Sequence, residues 1–229
     1  MKTIRRLLVL ATFTFALGSS AYAAPITLSG GQAGTIPGAH ANNDFIGTLF
    51  GGPQIGGYFG SQILFNAAPG STLTIDFFGA EAGYVNNFLY SGSTVFTHNG
   101  GLNIASSLNA PKATFSTTIG GSGTLPFKFK VNSGAGSVTN GTNPNDFAGL
   151  SLGPNFFATC NPFSQSPGAG GTSCNSVYLF LDDGGAGPDD DHDDFLVRVS
   201  VAEVPEPATI FTGLAGLGLF LVRRQKSRQ

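Results

Sequence analysis

In Leu125-Pro-Phe-Lys-Phe-Lys-Val-Asn132, apolar and charged residues alternate one for one. Successive side chains of an extended chain point to opposite sides, so Phe127, Phe129 and Val131 share one face and Lys128 and Lys130 the other. The pattern recurs. In Ser71–Phe78, Leu73, Ile75 and Phe77 line one face, with Thr72, Thr74 and Asp76 opposite. In Phe195–Val201, Phe195, Val197, Val199 and Val201 face inward, and Arg198 and Ser200 face out. Ser176–Asp182 (SVYLFLD) is apolar on both faces, which predicts a central strand. Weaker strands are expected near Asp44–Phe50, Asn87–Phe96 and Ala113–Ile119. Gly, Pro and Asn clusters separate these runs, and none sustains a 3.6-residue period. The reading is an all-β fold, an antiparallel β-sandwich with long Gly/Asn-rich loops and a Phe-rich core. Residues 30–43 and 132–145 read as loops, with Asn140-Gly141 marking a turn.

The two ends read as processing segments. Lys2, Arg5 and Arg6 precede the apolar run Leu7–Leu17, which is too short to span a bilayer. Ala21-Tyr22-Ala23 then gives the small-x-small order of a secretory cleavage site. Residues 1–23 are therefore expected to be a signal peptide, 24–203 a single β-sandwich domain, and 204–229 a C-terminal signal. The overall net charge of -2 hides a strong imbalance, because seven of the 11 basic residues lie in the terminal segments. From Pro25 to Val204, four basic residues (Lys112, Lys128, Lys130, Arg198) stand against 12 acidic ones, a net of -8. That disfavours nucleic acid and anionic membrane surfaces as partners. In an exported chain, Cys160 and Cys174 are expected to form a disulfide. Closing a loop of about 15 residues stabilises by roughly 3 kcal/mol in the chain-entropy model.

Leu28-Ser29-Gly30-Gly31-Gln32 spells a transporter-ATPase signature. It is discounted, because no phosphate-cradling G-x-x-x-x-G-K-[ST] accompanies it. Neither G-x-S-x-G nor H-E-x-x-H occurs. A hydrolytic carboxylate pair drawn from Asp44, Asp76, Glu81 and Asp146 has nothing to select it. The expectation is a protein without catalytic residues.

The strongest chemical feature is the segment 181–195, with seven Asp in 13 residues between two expected strands. Two unit charges ~7 Å apart repel by about 0.6 kcal/mol in water, and each Asp has several such neighbours. A bound cation would remove that cost. Carboxylate oxygens suit Ca²⁺, so Asp182, Asp183, Asp189, Asp191, Asp193 and Asp194 are the candidate ligands. The alternative is a solvated acidic turn. His192 sits among these charges, which should favour its protonated form.

At the C-terminus, Val204-Pro-Glu-Pro207 leads into Ala208–Val222, 15 residues without a charge. Spanning helices need about 17–25. Arg223, Arg224, Lys226 and Arg228 follow and would hold the end in the cytoplasm. Motif, short apolar helix and basic end, in this order, resemble a PEP-CTERM sorting signal of Gram-negative bacteria. The resemblance implies processing by an exosortase, with Pro205, Glu206 and Pro207 as recognition residues. It also implies transient residence in the inner membrane through the short helix, then a place at the cell surface or in an exopolysaccharide-rich biofilm matrix. The stretch 181–200 is loosely similar to one that often precedes such signals. The expected product is an exported, non-catalytic surface or matrix protein. The rivals are a carbohydrate-binding module acting on exopolysaccharide and, behind it, a secreted hydrolase.

Overall fold

The computed structural model describes residues 24–37, 43–132, 136–145, 153–168, 171–184 and 191–204. Residues 1–23, read as the signal peptide, and 205–229 of the sorting tail, including Pro205, Glu206 and Pro207, lie outside them. Among the described residues no helix is long and apolar enough to cross a membrane.

The structure is all-β and antiparallel. The strands are β1 (Ile26–Ser29), β2 (Gln32–Ile36), β3 (Ile55–Phe59), β4 (Gln62–Ala82), β5 (Asn86–Tyr90), β6 (Ser93–His98) and β7 (Gly101–Ile104). They continue as β8 (Ala113–Thr124), β9 (Phe127–Val131), β10 (Gly136–Thr139), β11 (Asn155–Thr159), β12 (Ser173–Cys174), β13 (Ser176–Asp182) and β14 (Phe195–Ala202). Ten form one sheet in the order β12-β1-β4-β14-β13-β11-β3-β2, with β7 and β8 also on β4. The other four form a smaller sheet, β10-β9-β5-β6.

The large sheet is built around one bent hairpin. β1 pairs β4 from Ile26↔Phe65 to Ser29↔Gln62, and β2 pairs β3 from Gln32↔Phe59 to Ile36↔Ile55. These two ladders share one continuous register, interrupted only at Gly30-Gly31 and Gly60-Ser61. Its halves join opposite ends of the path β4-β14-β13-β11-β3, so the hairpin turns a corner and folds the sheet back on itself. The corner needs glycine. Gly31 has φ +83°, and a Cβ there would lie 2.5 Å from the Phe59 carbonyl oxygen.

The alternation read from the sequence sorts the core. Phe127, Phe129 and Val131 are buried on β9, as are Leu73, Ile75 and Phe77 on β4. Facing residues of the two sheets interlock: the Phe129 ring lies 6.0 Å from Phe195, and Phe127 lies 5.4 Å from Phe156. β13 lies between β11 and β14 and is buried on both faces, as its composition predicts. Val177, Leu179 and Leu181 enter the core between the sheets. Tyr178 and Phe180 enter a second cluster on the other face of the large sheet.

That second cluster is closed by residues 44–50, and here the strand expected at Asp44–Phe50 is corrected. Ile46–Phe50 forms a π-helical turn ending at Gly51 in the left-handed region. Asn43 Oδ1 accepts hydrogen bonds from the Phe45 and Ile46 amides, at 3.0 and 3.1 Å, and starts the turn. Ile46 and Phe50, four apart, bury one helical face against Tyr178 and Phe180. Two expected loops also hold strands: β2 falls within 30–43 and β10 within 132–145. Both are supplied by partner strands, not by alternation of their own.

Candidate cation site at the acidic hairpin

β13 and β14 are hydrogen-bonded neighbours, so the Asp-rich stretch is their hairpin connection. At its described ends, residues 182–183 and 191–194 are buried, and Gly184 is exposed. Asp182 is 0% exposed, Asp183 4%, Asp191 7%, His192 1%, Asp193 2% and Asp194 7%. A freely solvated turn would not look like this. Asp189 lies outside the described residues.

Four other elements hold these ends in place. From the turn before Ile46, Asn43 Nδ2 donates to the carbonyls of Asp191 (2.7 Å) and His192 (3.0 Å). The Asp44 amide donates to Asp193 Oδ2 at 2.8 Å. From β4, the Glu81 amide donates to the Asp193 carbonyl at 2.9 Å. From β5 in the small sheet, Asn86 Nδ2 donates to Asp183 Oδ2. From β11, Asn155 Nδ2 donates to Asp182 Oδ2 at 3.4 Å, while its Oδ1 contacts His192 Nε2 at 2.8 Å. Because Asn155 Oδ1 can only accept, His192 carries its proton on Nε2. Within the loop, the Asp183 amide donates to Asp194 Oδ2 at 2.7 Å and the Gly184 amide to Asp182 Oδ1 at 3.0 Å. The Asp193 amide donates to Asp191 Oδ1 at 3.3 Å. The acidic connection is thus a hub where both sheets and the helical turn meet.

Electrostatics at the hub are unfavourable for bare carboxylates. Burial, with the neighbouring Asp191 and Glu81 charges adding to it, pushes the Asp193 carboxyl up to about 9. Burial, then the Asp183, Asp182 and Asp191 charges, pushes Asp194 up to about 10. For His192 the sequence expectation is overturned. Burial pushes it down to about 3, so the ring is neutral. Its ring packs edge-on against Phe59 (5.4 Å) and Phe157 (6.2 Å), and the cost of burying an imidazolium there exceeds the pull of the nearby acids.

Two buried oxygens, Asn86 Oδ1 and Asp193 Oδ1, accept no hydrogen bond, and the Asp193 carboxyl shares a side-chain hydrogen bond with Asp191. Buried polar atoms are nearly always satisfied, so each marks a place where a proton donor or a cation belongs. Both are hard oxygen donors of the kind Ca²⁺ takes. Among the described residues no group of three His, Cys, Asp or Glu side chains forms a ready-made metal cluster. A cation here would draw on Asn86 Oδ1 and main-chain carbonyls as well as carboxylates.

Elsewhere, Cys160 and Cys174 form the expected disulfide. It sits beside the edge strand β12, which pairs with β1 through Ile26↔Cys174. Of the carboxylates weighed for hydrolysis, Asp76 is buried and bonded to Arg198 at 2.8 Å, and Asp146 lies outside the described residues. Leu28–Gln32 is the corner of the bent hairpin, where its two glycines shape the chain. The sequence reading missed Asn43, Asn86 and Asn155. Asn43 and Asn86 belong to Asn-Asn pairs and Asn155 stands alone, each at the edge of an apolar run, which is the one signal the sequence offers.

No curated protein matches the chain. The PEP-CTERM protein-sorting motif matches residues 203–228, beginning one residue after the last strand ends. The chain therefore carries a PEP-CTERM sorting signal at its C-terminal end, which marks it as an exported protein sorted to the cell surface or beyond and processed by an exosortase.

Proposed function

We propose that this chain is a non-catalytic surface or matrix protein, a β-sandwich whose two sheets and helical turn are locked together by Ca²⁺ at the β13–β14 connection. Exopolysaccharide is the surrounding in which it works. The observation that carries the reading is the buried acidic hub. Asp182, Asp183, Asp191, Asp193 and Asp194 are all at most 7% exposed, and Asn86 Oδ1 and Asp193 Oδ1 are unsatisfied beside them. Several carboxylates cannot be ionised together in so dry a place unless positive charge joins them. Ca²⁺ is preferred over Mg²⁺ because an irregular loop of carboxylates, an amide and carbonyls meets its loose geometry, not an octahedron. Asp189, in the same connection, is a further candidate ligand on sequence grounds. The hub would then act as a staple outside the cell, where millimolar Ca²⁺ suffices for a weak site.

The test is thermal unfolding of the exported protein with chelator, with Mg²⁺ and with Ca²⁺. At about 100 times a dissociation constant of ~10⁻⁴ M, Ca²⁺ adds about 2.7 kcal/mol of stability. For a domain of this size that is a rise of roughly 5–10 °C in Tm. Asn86→Leu, which removes an oxygen donor, should shrink the rise. A Tm that ignores both Ca²⁺ and chelator overturns the reading.

A further inference from the structure

Natural sheets protect their edges with shortness, lysine, proline or bulges, because an open row of N–H and C=O groups invites another strand. Most edges here follow that rule. β12 has two residues, β7 and β10 four each, and β2 five. β8 does not follow it. It runs for 12 residues and, among the described residues, pairs only with β4. It contains neither proline nor charge, and no charged residue occurs between Lys112 and Lys128. Its ladder with β4 is regular from Ala113↔Phe77 to Ile119↔Ser71, and the irregularity comes only beyond that.

We propose that the 113–119 edge is where two copies of this chain meet, β8 against β8 in antiparallel pairing. Three features favour a second copy as the occupant. First, the solvent face of the strand is a row of small hydroxyls, Thr114, Ser116 and Thr118. Ser116 Oγ already pairs with Thr74 Oγ across the ladder at 3.3 Å, and a copy of the same row extends that chemistry. Second, the domain has a net charge of -8 between residues 25 and 204, so most faces of two copies repel. This edge carries no charge, and the nearest acid, Asp76, is neutralised by Arg198. Pairing centred on Ser116 sets Lys112 opposite Gly120 and not opposite its own copy. Third, the underside of the edge is unfinished. Phe115 and Ile119 are only partly buried against the core, with the Phe115 ring 6.0 Å from half-buried Tyr90 of the small sheet. A continuing strand covers them.

Sedimentation velocity of the exported protein tests this, from about 1 to 500 µM. A concentration-dependent dimer is expected. Ser116→Lys with Thr118→Lys places four ammonium groups across the paired edge and should weaken the dimer by at least ~10-fold. Ser106→Lys with Ser107→Lys adds the same charge in the exposed connection before β8 and should leave the dimer unchanged. Amide exchange across 113–119 in the unmodified protein should slow as its concentration rises. A monomer over the whole range overturns the proposal. So does a β8 lysine variant that dimerises like the parent. Should that variant fail to fold, exchange at 113–119 that ignores concentration decides against the proposal by itself.

Discussion

Asp193 and Asp194 keep their protons in the folded chain to about pH 9 and about pH 10. In the unfolded chain both ionise near the ordinary Asp value of ~3.9. Unfolding therefore releases protons throughout that window, and the contribution of these carboxyls is full below ~4 and is lost as pH rises toward the folded values. His192 acts in the opposite direction. It stays neutral in the fold down to about 3 but charges near 6.5 once exposed, so its contribution is full above 6.5 and is lost as pH falls. In chelator, the urea midpoint should accordingly rise as pH is lowered from ~9 to ~6.5, and rise less steeply below that, where the imidazole opposes one carboxyl. Saturating Ca²⁺ should flatten the upper limb, since the cation replaces those protons. A midpoint in chelator that falls between pH 8 and 6.5 would contradict this protonation scheme. At the same scale, Arg198→Leu leaves Asp76 buried without its cation, and should cost about 2–4 kcal/mol, discounted from a fully buried pair because the arginine is partly exposed. What the sequence disclosed here was the acidic run and its place between two strands. Its burial was not legible, because that depends on Asn43, Asn86 and Asn155, which lie tens of residues away and meet the loop only in the fold.

Elements differ in how far their residues announce them. β4, β9, β13 and β14 carry their own alternation or double-sided apolarity, so their existence and their inward faces follow from local chemistry. β2 (Gln-Ala-Gly-Thr-Ile) has no such pattern, and it is a strand because β3 offers it a continuous register past the corner. The turn at 44–50 looks extended by composition, yet the Asn43 cap and the burial of Ile46 and Phe50 select a helix. In both cases tertiary context overrides a weak local preference. The corner itself gives a sharp contrast between adjacent glycines. At Gly31 a methyl group would collide with the Phe59 carbonyl in a left-handed conformation, whereas at Gly30 (φ +68°) nothing lies within 4 Å. Gly30→Ala should therefore cost only the left-handed penalty of about 1–2 kcal/mol. Gly31→Ala should cost about 3 kcal/mol or more, because strain and collision add. Urea unfolding of the two variants checks this, and equal losses would mean that the corner relaxes freely.

The whole molecule has to solve a problem of delivery as well as of folding. Among the described residues, both core clusters and every strand lie between Ile26 and Ala202, and the sorting motif matches from residue 203 onward. The apolar run after it, Ala208–Val222, holds Gly213, Gly216 and Gly218 and spans only 15 residues. At 1.5 Å per residue a helix of that length covers about 22 Å, short of a hydrocarbon core of about 30 Å. If this segment enters the inner membrane as a helix, its shortness would make it a poor permanent anchor. Removing the tail would take four of the 11 basic residues with it, and cleavage after Ala23, as the sequence predicts, three more. A product lacking both ends would be strongly acidic, and its self-repulsion favours solubility. Intact mass of the surface protein from an exporting host should accordingly show a chain lacking both 1–23 and 223–229. Replacing Pro205, Glu206 and Pro207 together by Ala should leave the basic end attached and the protein in the membrane fraction. A surface-exposed product that still carries Arg223–Arg228 would mean that the tail anchors this chain and is not removed.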